Sequence, residues 1–68
     1  MNNKVAAHRK KHGFSQAYLA KKLGVSRQTI ISIEKEKYNP SLPLALRIAE
    51  IFDTEVENIF ILEEEDRP

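Results

Sequence analysis

Arg27 and Gln28 are adjacent residues whose side chains can hydrogen-bond to the edges of nucleic-acid bases. Arginine can donate two hydrogen bonds to guanine, and glutamine can both donate to and accept from adenine. Such contacts read a sequence when the side chains reach into the major groove, which is wide enough to admit an α-helix. Base recognition by these two side chains therefore depends on whether Arg27 and Gln28 begin a helix.

Two short helices joined by a tight turn are predicted around these residues. Ser15 and Ser26 are helix N-cap candidates, because a serine hydroxyl can accept from the free amides of a first turn. Gly24 suits the left-handed residue just past a helix end. The apolar positions of both helices recur at helical spacing: Leu19, Ala20, Leu23, Ile30 and Ile33. We therefore predict helices at about 15–23 and 26–35 in a helix-turn-helix layout, with the second as a recognition helix for the DNA major groove.

The stretch resembles the helix-turn-helix of the phage-repressor family, which includes the lambda and 434 repressors and Cro. The resemblance is carried by Ser15-Gln16, Leu19-Ala20, Leu23-Gly24-Val25-Ser26, Ile30, Ile33-Glu34 and Tyr38-Asn39-Pro40-Ser41-Leu42. It implies an all-α fold, with a compact five-helix lambda-repressor-like domain over residues 1–62. It also allows a short C-terminal strand at a dimer interface. Residues 63–68 are then an acidic tail.

The resemblance also implies which residues contact DNA. Inward-facing Ile30 and Ile33 leave four side chains of the recognition helix facing the groove. By resemblance to the family, the base-reading positions are Arg27, Gln28 and Ser32, and periodicity adds Ile31. The isoleucine either contacts a thymine methyl group or is simply an exposed apolar side chain. The positions that the family uses at phosphates are Gln16, Thr29, Lys35, Lys37, Tyr38 and Asn39, although Gln16 could also be an ordinary solvated helix start.

Charge is divided unevenly along the chain. Residues 1–40 contain nine lysines and arginines against two glutamates, a net charge of +7. Residues 41–68 contain eight acidic residues against two arginines, a net charge of −6. Because phosphate neutralisation supplies most non-specific DNA affinity, a polyanion should approach the N-terminal half. The run Glu63 to Asp66 is interpreted as a solvated face that stays outside this interface.

Several functional classes are disfavoured by composition. The chain has no cysteine, and its apolar runs are far shorter than the roughly 20 residues of a membrane helix. We expect a cytoplasmic bacterial or phage protein on the nucleoid, without cofactor or small-molecule effector. His8 and His12 have the spacing of a two-histidine metal site, but no cysteine or nearby carboxylate completes it, and we predict no metal. No nucleophile, base and oxyanion arrangement is visible, so no enzyme is predicted.

The C-terminal half has more apolar residues than one core needs. The stretch 42–52 carries two apolar stripes: Leu42, Ala45, Leu46, Ala49 and Phe52 form one, and Leu44, Ile48 and Ile51 form the other. One stripe fills the core, and the other requires a cover. We predict a homodimer interface formed by Leu44, Ile48, Ile51, Ile59, Phe60, Ile61 and Leu62.

The leading interpretation is a homodimeric, sequence-specific repressor on a palindromic operator. The alternative is an antitoxin-like or adaptor protein, which binds a protein partner through its C-terminal region and DNA for autoregulation. A toxin-like reading frame beside this one would favour the alternative.

Glu36 is a local departure from the family, which often has glycine there. A glutamate can end a helix in the left-handed conformation only at an energetic cost.

Overall fold

All 68 residues are described by the computed structural model, which contains four α-helices and a small sheet. The elements are β1 (Asn2–Asn3), α1 (Val5–Lys11), α2 (Gln16–Leu23), α3 (Arg27–Glu34), α4 (Leu42–Ile51) and β2 (Phe60–Ile61), with single 3-10 turns at Val56–Asn58 and Glu64–Asp66. The helix-turn-helix prediction is confirmed as α2 and α3. No helix is long and apolar enough to cross a membrane.

The prediction of five helices is corrected to four. The chain forms only a 3-10 turn at Val56–Asn58 and then becomes extended. Ile59, Phe60 and Ile61 are β-branched or aromatic, and such residues favour extended backbone. The predicted C-terminal strand exists as β2, but it pairs antiparallel with β1 of its own chain, so the fold is not purely α-helical.

Serine caps fix where three of the four helices begin. The Ser15, Ser26 and Ser41 hydroxyl oxygens accept from the amides of Tyr18 at 3.0 Å, Thr29 at 3.2 Å and Leu44 at 3.3 Å. Each bond satisfies an amide that would otherwise lack a partner in the first turn. The predicted starts of α2 and α3 are thereby confirmed.

A left-handed residue follows each of the four helices within two positions of its end. These residues are Gly13 (φ +72°), Gly24 (φ +72°), Glu36 (φ +62°) and Asp53 (φ +52°). After α3, the amide of Glu36 donates to the Ile33 carbonyl at 2.9 Å, and that of Lys37 donates to the Ser32 carbonyl at 3.0 Å. This is the Schellman pattern, which satisfies carbonyls of the last turn. Glu36 therefore adopts the left-handed conformation despite the cost that its Cβ imposes.

The core is entirely apolar, and all the helices contribute to it. Its twelve buried residues are Val5, Leu19, Ala20, Leu23, Ile30, Ile33, Ala45, Ile48, Ala49, Phe52, Ile59 and Phe60. The buried face of α4 is therefore Ala45, Ile48 and Ala49, which combines members of both predicted stripes. Leu42 and Leu46, assigned to one stripe with Ala45, are exposed instead.

This arrangement corrects part of the predicted dimer interface. Ile48 and Ile59 have no exposed surface, and only 9% of Phe60 is exposed. These three side chains fill the core of their own chain and are inaccessible to a second copy. Leu44 and Ile51 are half-buried, whereas Ile61 and Leu62 are exposed.

Candidate nucleic-acid interface

The N-terminal end of α3 presents polar side chains to solvent. Ile30 and Ile33 are completely buried, which fixes the rotation of the helix about its axis. Arg27 and Gln28 are exposed, while Ile31 and Ser32 are half-buried on the same outer side. The four candidate base-reading residues are thus brought together on one surface.

A shallow recess of about 300 Å³ lies beside these residues. It is lined by Ser26, Gln28, Thr29, Ser32 and Tyr38. Each of these side chains carries a hydroxyl or amide group, so the recess offers both hydrogen-bond donors and acceptors. It joins the outer face of α3 to the loop that follows.

The candidate phosphate-binding residues occupy two places. Lys35, Lys37, Tyr38 and Asn39 are exposed in the segment that follows α3. Thr29 lies in the first turn of α3, where its hydroxyl is hydrogen-bonded to that of Ser26 at 2.9 Å. One group therefore lies beyond the far end of α3, and Thr29 lies within its first turn.

Gln16, at the start of α2, is hydrogen-bonded to residues at both ends of α3. Its Nε2 donates to Glu34 Oε1 at 3.0 Å, and its Oε1 accepts from Arg27 Nη2 at 3.3 Å. Glu34 also accepts from Arg9 Nε at 2.7 Å and from Arg9 Nη2 at 3.2 Å. A continuous chain of hydrogen bonds therefore runs from Arg9 in α1 to Glu34 at the end of α3. It continues through Gln16 at the start of α2 to the Arg27 guanidinium at the start of α3.

The protonation states of this network follow from its geometry. Burial is the largest influence on the pKa of Glu34 and raises it, but hydrogen bonds from Arg9 and Gln16 and the charges of Arg9 and Lys10 outweigh burial. The pKa of Glu34 therefore lies below its ordinary value. The hydrogen bond to Glu34 in turn raises the pKa of Arg9. Both residues are charged at neutral pH.

Sequence reasoning missed the residues that brace the helix-turn-helix. Arg9 Nη1 donates to the Phe14 carbonyl at 2.9 Å, Arg47 Nη1 donates to the Leu23 carbonyl at 2.9 Å, and Asn3 Nδ2 donates to the Ile33 carbonyl at 2.8 Å. Each side chain ties a distant segment to an end of a helix or to the loop that precedes one. One signal was available for Glu34, since it is one of only two acids among the first 40 residues.

The two histidines pack on aromatic rings. The ring centroids of His8 and His12 lie 5.5 Å and 5.2 Å from that of Phe52. His12 Nδ1 also lies 2.9 Å from the His8 carbonyl oxygen. No group of three histidine or acidic side chains is placed to hold a metal ion.

Four helices with a capped α2–turn–α3 unit and an exposed polar end of α3 define a helix-turn-helix protein. Comparison of the sequence agrees: residues 5–59 match the helix-turn-helix family, and the chain belongs to this family, of the lambda-repressor type. The match covers α1 to Ile59 and therefore includes every buried core residue except Phe60, together with the candidate interface.

Three of the relatives that match over nearly their whole length illustrate the family. The chain is 56% identical to an uncharacterized HTH-type transcriptional regulator of Methanocaldococcus jannaschii, over 97% of this chain and 100% of the relative. It is 48% identical to the uncharacterized HTH-type transcriptional regulator YgzD of Bacillus subtilis, over 97% and 100%. It is 47% identical to another in Archaeoglobus fulgidus, over 97% and 94%. Because the relatives include archaeal proteins, the family does not assign the chain to a bacterium or phage.

Proposed function

We propose that this protein is a sequence-specific, double-stranded DNA-binding transcriptional regulator. The observation that carries the proposal is the exposed start of α3, where Arg27 is hydrogen-bonded to Gln16 and Gln28 points to solvent. Helix-turn-helix proteins place these first residues of the recognition helix against base edges. The relatives' description as transcriptional regulators supports the same role.

Base reading is assigned to Arg27, Gln28, Ile31 and Ser32. Arg27 suits guanine and Gln28 suits adenine, while the Ile31 side chain can contact a thymine methyl group. The Gln16 amide holds the Arg27 guanidinium before DNA arrives, which reduces the conformational entropy lost on binding.

Backbone binding is assigned to the residues that flank the base-reading set. Lys35 and Lys37 are exposed cations beyond the far end of α3, and Tyr38 and Asn39 add neutral donors. Gln16 and Thr29 lie near the other end. Contacts of this kind fix position on the duplex and make affinity depend on salt.

We infer a homodimer that uses the C-terminal edge of the sheet. β2 pairs with β1 along one edge and has no partner strand along the other. Ile61 and Leu62 are 36% and 54% exposed beside that edge. A two-fold contact here would pair β2 with its copy, and Leu44 and Ile51 could extend the apolar contact. The carboxylates of Glu63 to Asp66 would remain away from DNA.

Such a dimer would act as a repressor on a palindromic operator. Two recognition helices related by a two-fold axis read half-sites about 34 Å or 10 bp apart. The longest dimension of the protomer is 36 Å, which is compatible with that spacing. A dimer on its operator would block access to an overlapping promoter.

Selection of bound sites from a random DNA library tests this proposal. We expect an inverted repeat with half-site centres about 10 bp apart. Sedimentation should give a dimer at micromolar concentration, and Ile61→Asp/Leu62→Asp should give a folded monomer. Recovery of no preferred sequence would contradict sequence-specific recognition. A single asymmetric site, or a double variant that remains a dimer, would contradict the proposed dimer.

A further inference from the structure

A groove of about 450 Å³ lies on the C-terminal half, between α4 and the 3-10 turn at Val56–Asn58. Its apolar side chains are Leu46, Ala49 and Val56. Its carboxylates are Glu50, Glu55 and Glu57. It is larger than the recess of about 300 Å³ beside the recognition helix.

The apolar surface continues along α4 outside the groove. Leu46 is 46% exposed, and Leu42, one turn earlier on the same face, is 68% exposed. A contiguous exposed apolar patch rimmed by polar residues is typical of an interaction site. The dimer contact proposed at Ile61 and Leu62 does not include these leucines.

The three carboxylates of the groove have no cationic partner within the protein. Its ion pairs join Met1 to Glu63 and Asp66, and Arg9 to Glu34. Arg47, the only basic residue of α4, donates instead to the backbone carbonyls of α2. The groove therefore combines an apolar floor with uncompensated negative charge.

We propose that this groove binds a basic amphipathic helix of another protein. The apolar face of such a helix would lie on Leu46 and Val56, and its lysines or arginines would meet the three carboxylates. DNA is not expected to bind in this groove, because its phosphates would be repelled by the carboxylates. A second copy is also disfavoured, because a two-fold contact would place identical carboxylates close to one another. The inference goes beyond DNA binding and does not depend on it.

A synthetic helical peptide tests the groove directly. The probe has about 16 residues, a little over four turns, with leucines on one face and lysines and arginines on the other. Titration into the isotope-labelled full chain should move the amide resonances of Leu46, Ala49, Thr54 and Val56 while leaving α3 unchanged. A peptide of the same composition in scrambled order, and one with glutamates in place of the basic residues, should bind at least about tenfold more weakly.

Matched charge reversals distinguish binding of the peptide in the groove from a general attraction of its basic residues to acidic side chains. Glu55→Lys/Glu57→Lys should weaken binding of the probe at least about tenfold, and Leu46→Ser should also weaken it. Glu64→Lys/Glu65→Lys, with the same charge change on the tail, should leave binding within about twofold. Equal loss in the two double variants, equal binding of the scrambled peptide, or resonance shifts confined to other surfaces would overturn the proposal. So would a groove variant that changes the sedimentation of the free protein, because the groove would then be a self-association surface.

Discussion

The Arg9 Nε and Glu34 Oε2 atoms lie 2.7 Å apart and join α1 to the last residue of α3. Only 12% of the arginine side chain and 9% of the glutamate side chain are exposed. Because Glu34 also accepts from Gln16, which accepts from Arg27, this ion pair is connected to a base-reading candidate. Its integrity should affect both folding and the position of the recognition helix.

Removing one partner of this ion pair should destabilise the protein strongly. Arg9→Met leaves a mostly buried carboxylate without its cation, and we expect the free energy of unfolding to fall by about 3 kcal/mol. Urea denaturation monitored by circular dichroism measures this change.

The double variant Arg9→Met/Glu34→Leu provides the control, because it removes both charges. Its loss should be clearly smaller than the sum of the two single losses. Strict additivity would mean that the two residues act independently, despite their contact.

The lowered pKa of Glu34 predicts how stability depends on pH. A carboxyl group with a lowered pKa in the folded state contributes stability above its unfolded pKa, about 4.3 for glutamate. That contribution is lost as pH falls through the folded value. Stability should therefore decline below about pH 5 more steeply in the wild type than in Glu34→Gln.

Denaturation curves from neutral to acid pH check this difference. The pKa of Asp66 is also lowered, first by its hydrogen bond with the Glu63 backbone and then by the N-terminal ammonium group. This effect is present in both proteins and cancels in the comparison. Parallel curves for wild type and Glu34→Gln would show that Glu34 does not contribute to the acid response.

Local signals made the helix-turn-helix predictable from sequence. Ser15, Gly24 and Ser26 act on residues within one turn of themselves, so their caps and left-handed turn could be recognised without knowing the fold. The predicted ranges 15–23 and 26–35 differ from the observed helices by the capping residues at their ends.

Contacts between distant segments could not be predicted in this way. The pairing of Asn2 with Ile61 depends on how the two ends of the chain meet. The buried face of α4 could not be predicted because both of its stripes are apolar. The packing of the helices determines that Leu46 is exposed and that Ile48 is buried. For the same reason, sequence periodicity gave no indication that Gln16 would link Arg27 to Glu34.

The left-handed backbone at Glu36 should make glycine more stable than alanine there. Both Glu36→Gly and Glu36→Ala remove the side chain that accepts from the Asn3 amide at 3.3 Å. Only alanine retains the Cβ that disfavours φ +62°. We expect the glycine variant to be more stable than the alanine variant by about 1 kcal/mol in urea denaturation.

Lys35 supplies a neighbouring control for this backbone effect. Its φ is −83°, so glycine has no conformational advantage there, and Lys35→Gly should be less stable than Lys35→Ala. If glycine and alanine were equally stable at position 36, the left-handed backbone there would carry no measurable cost.

The final prediction distinguishes base reading from backbone binding. Arg27 lies at the start of α3, where side chains reach base edges, whereas Lys35 lies beyond its end, near phosphates. Arg27→Ala should cost about 1 to 3 kcal/mol on the selected operator and relax discrimination at one base pair per half-site. Gln28→Ala should have a similar effect at a different base pair.

Lys35→Ala should instead weaken all DNA about equally and make the salt dependence shallower, by about one ion per half-site. Binding isotherms on operator and scrambled DNA, each at several salt concentrations, separate the two outcomes. Arg27→Lys refines the test, because it keeps the charge but loses the two-pronged donor that matches guanine, and it should retain non-specific affinity while losing discrimination. If Arg27→Ala weakened operator and scrambled DNA equally, Arg27 would be a phosphate contact, and base reading would have to come from Gln28, Ile31 and Ser32.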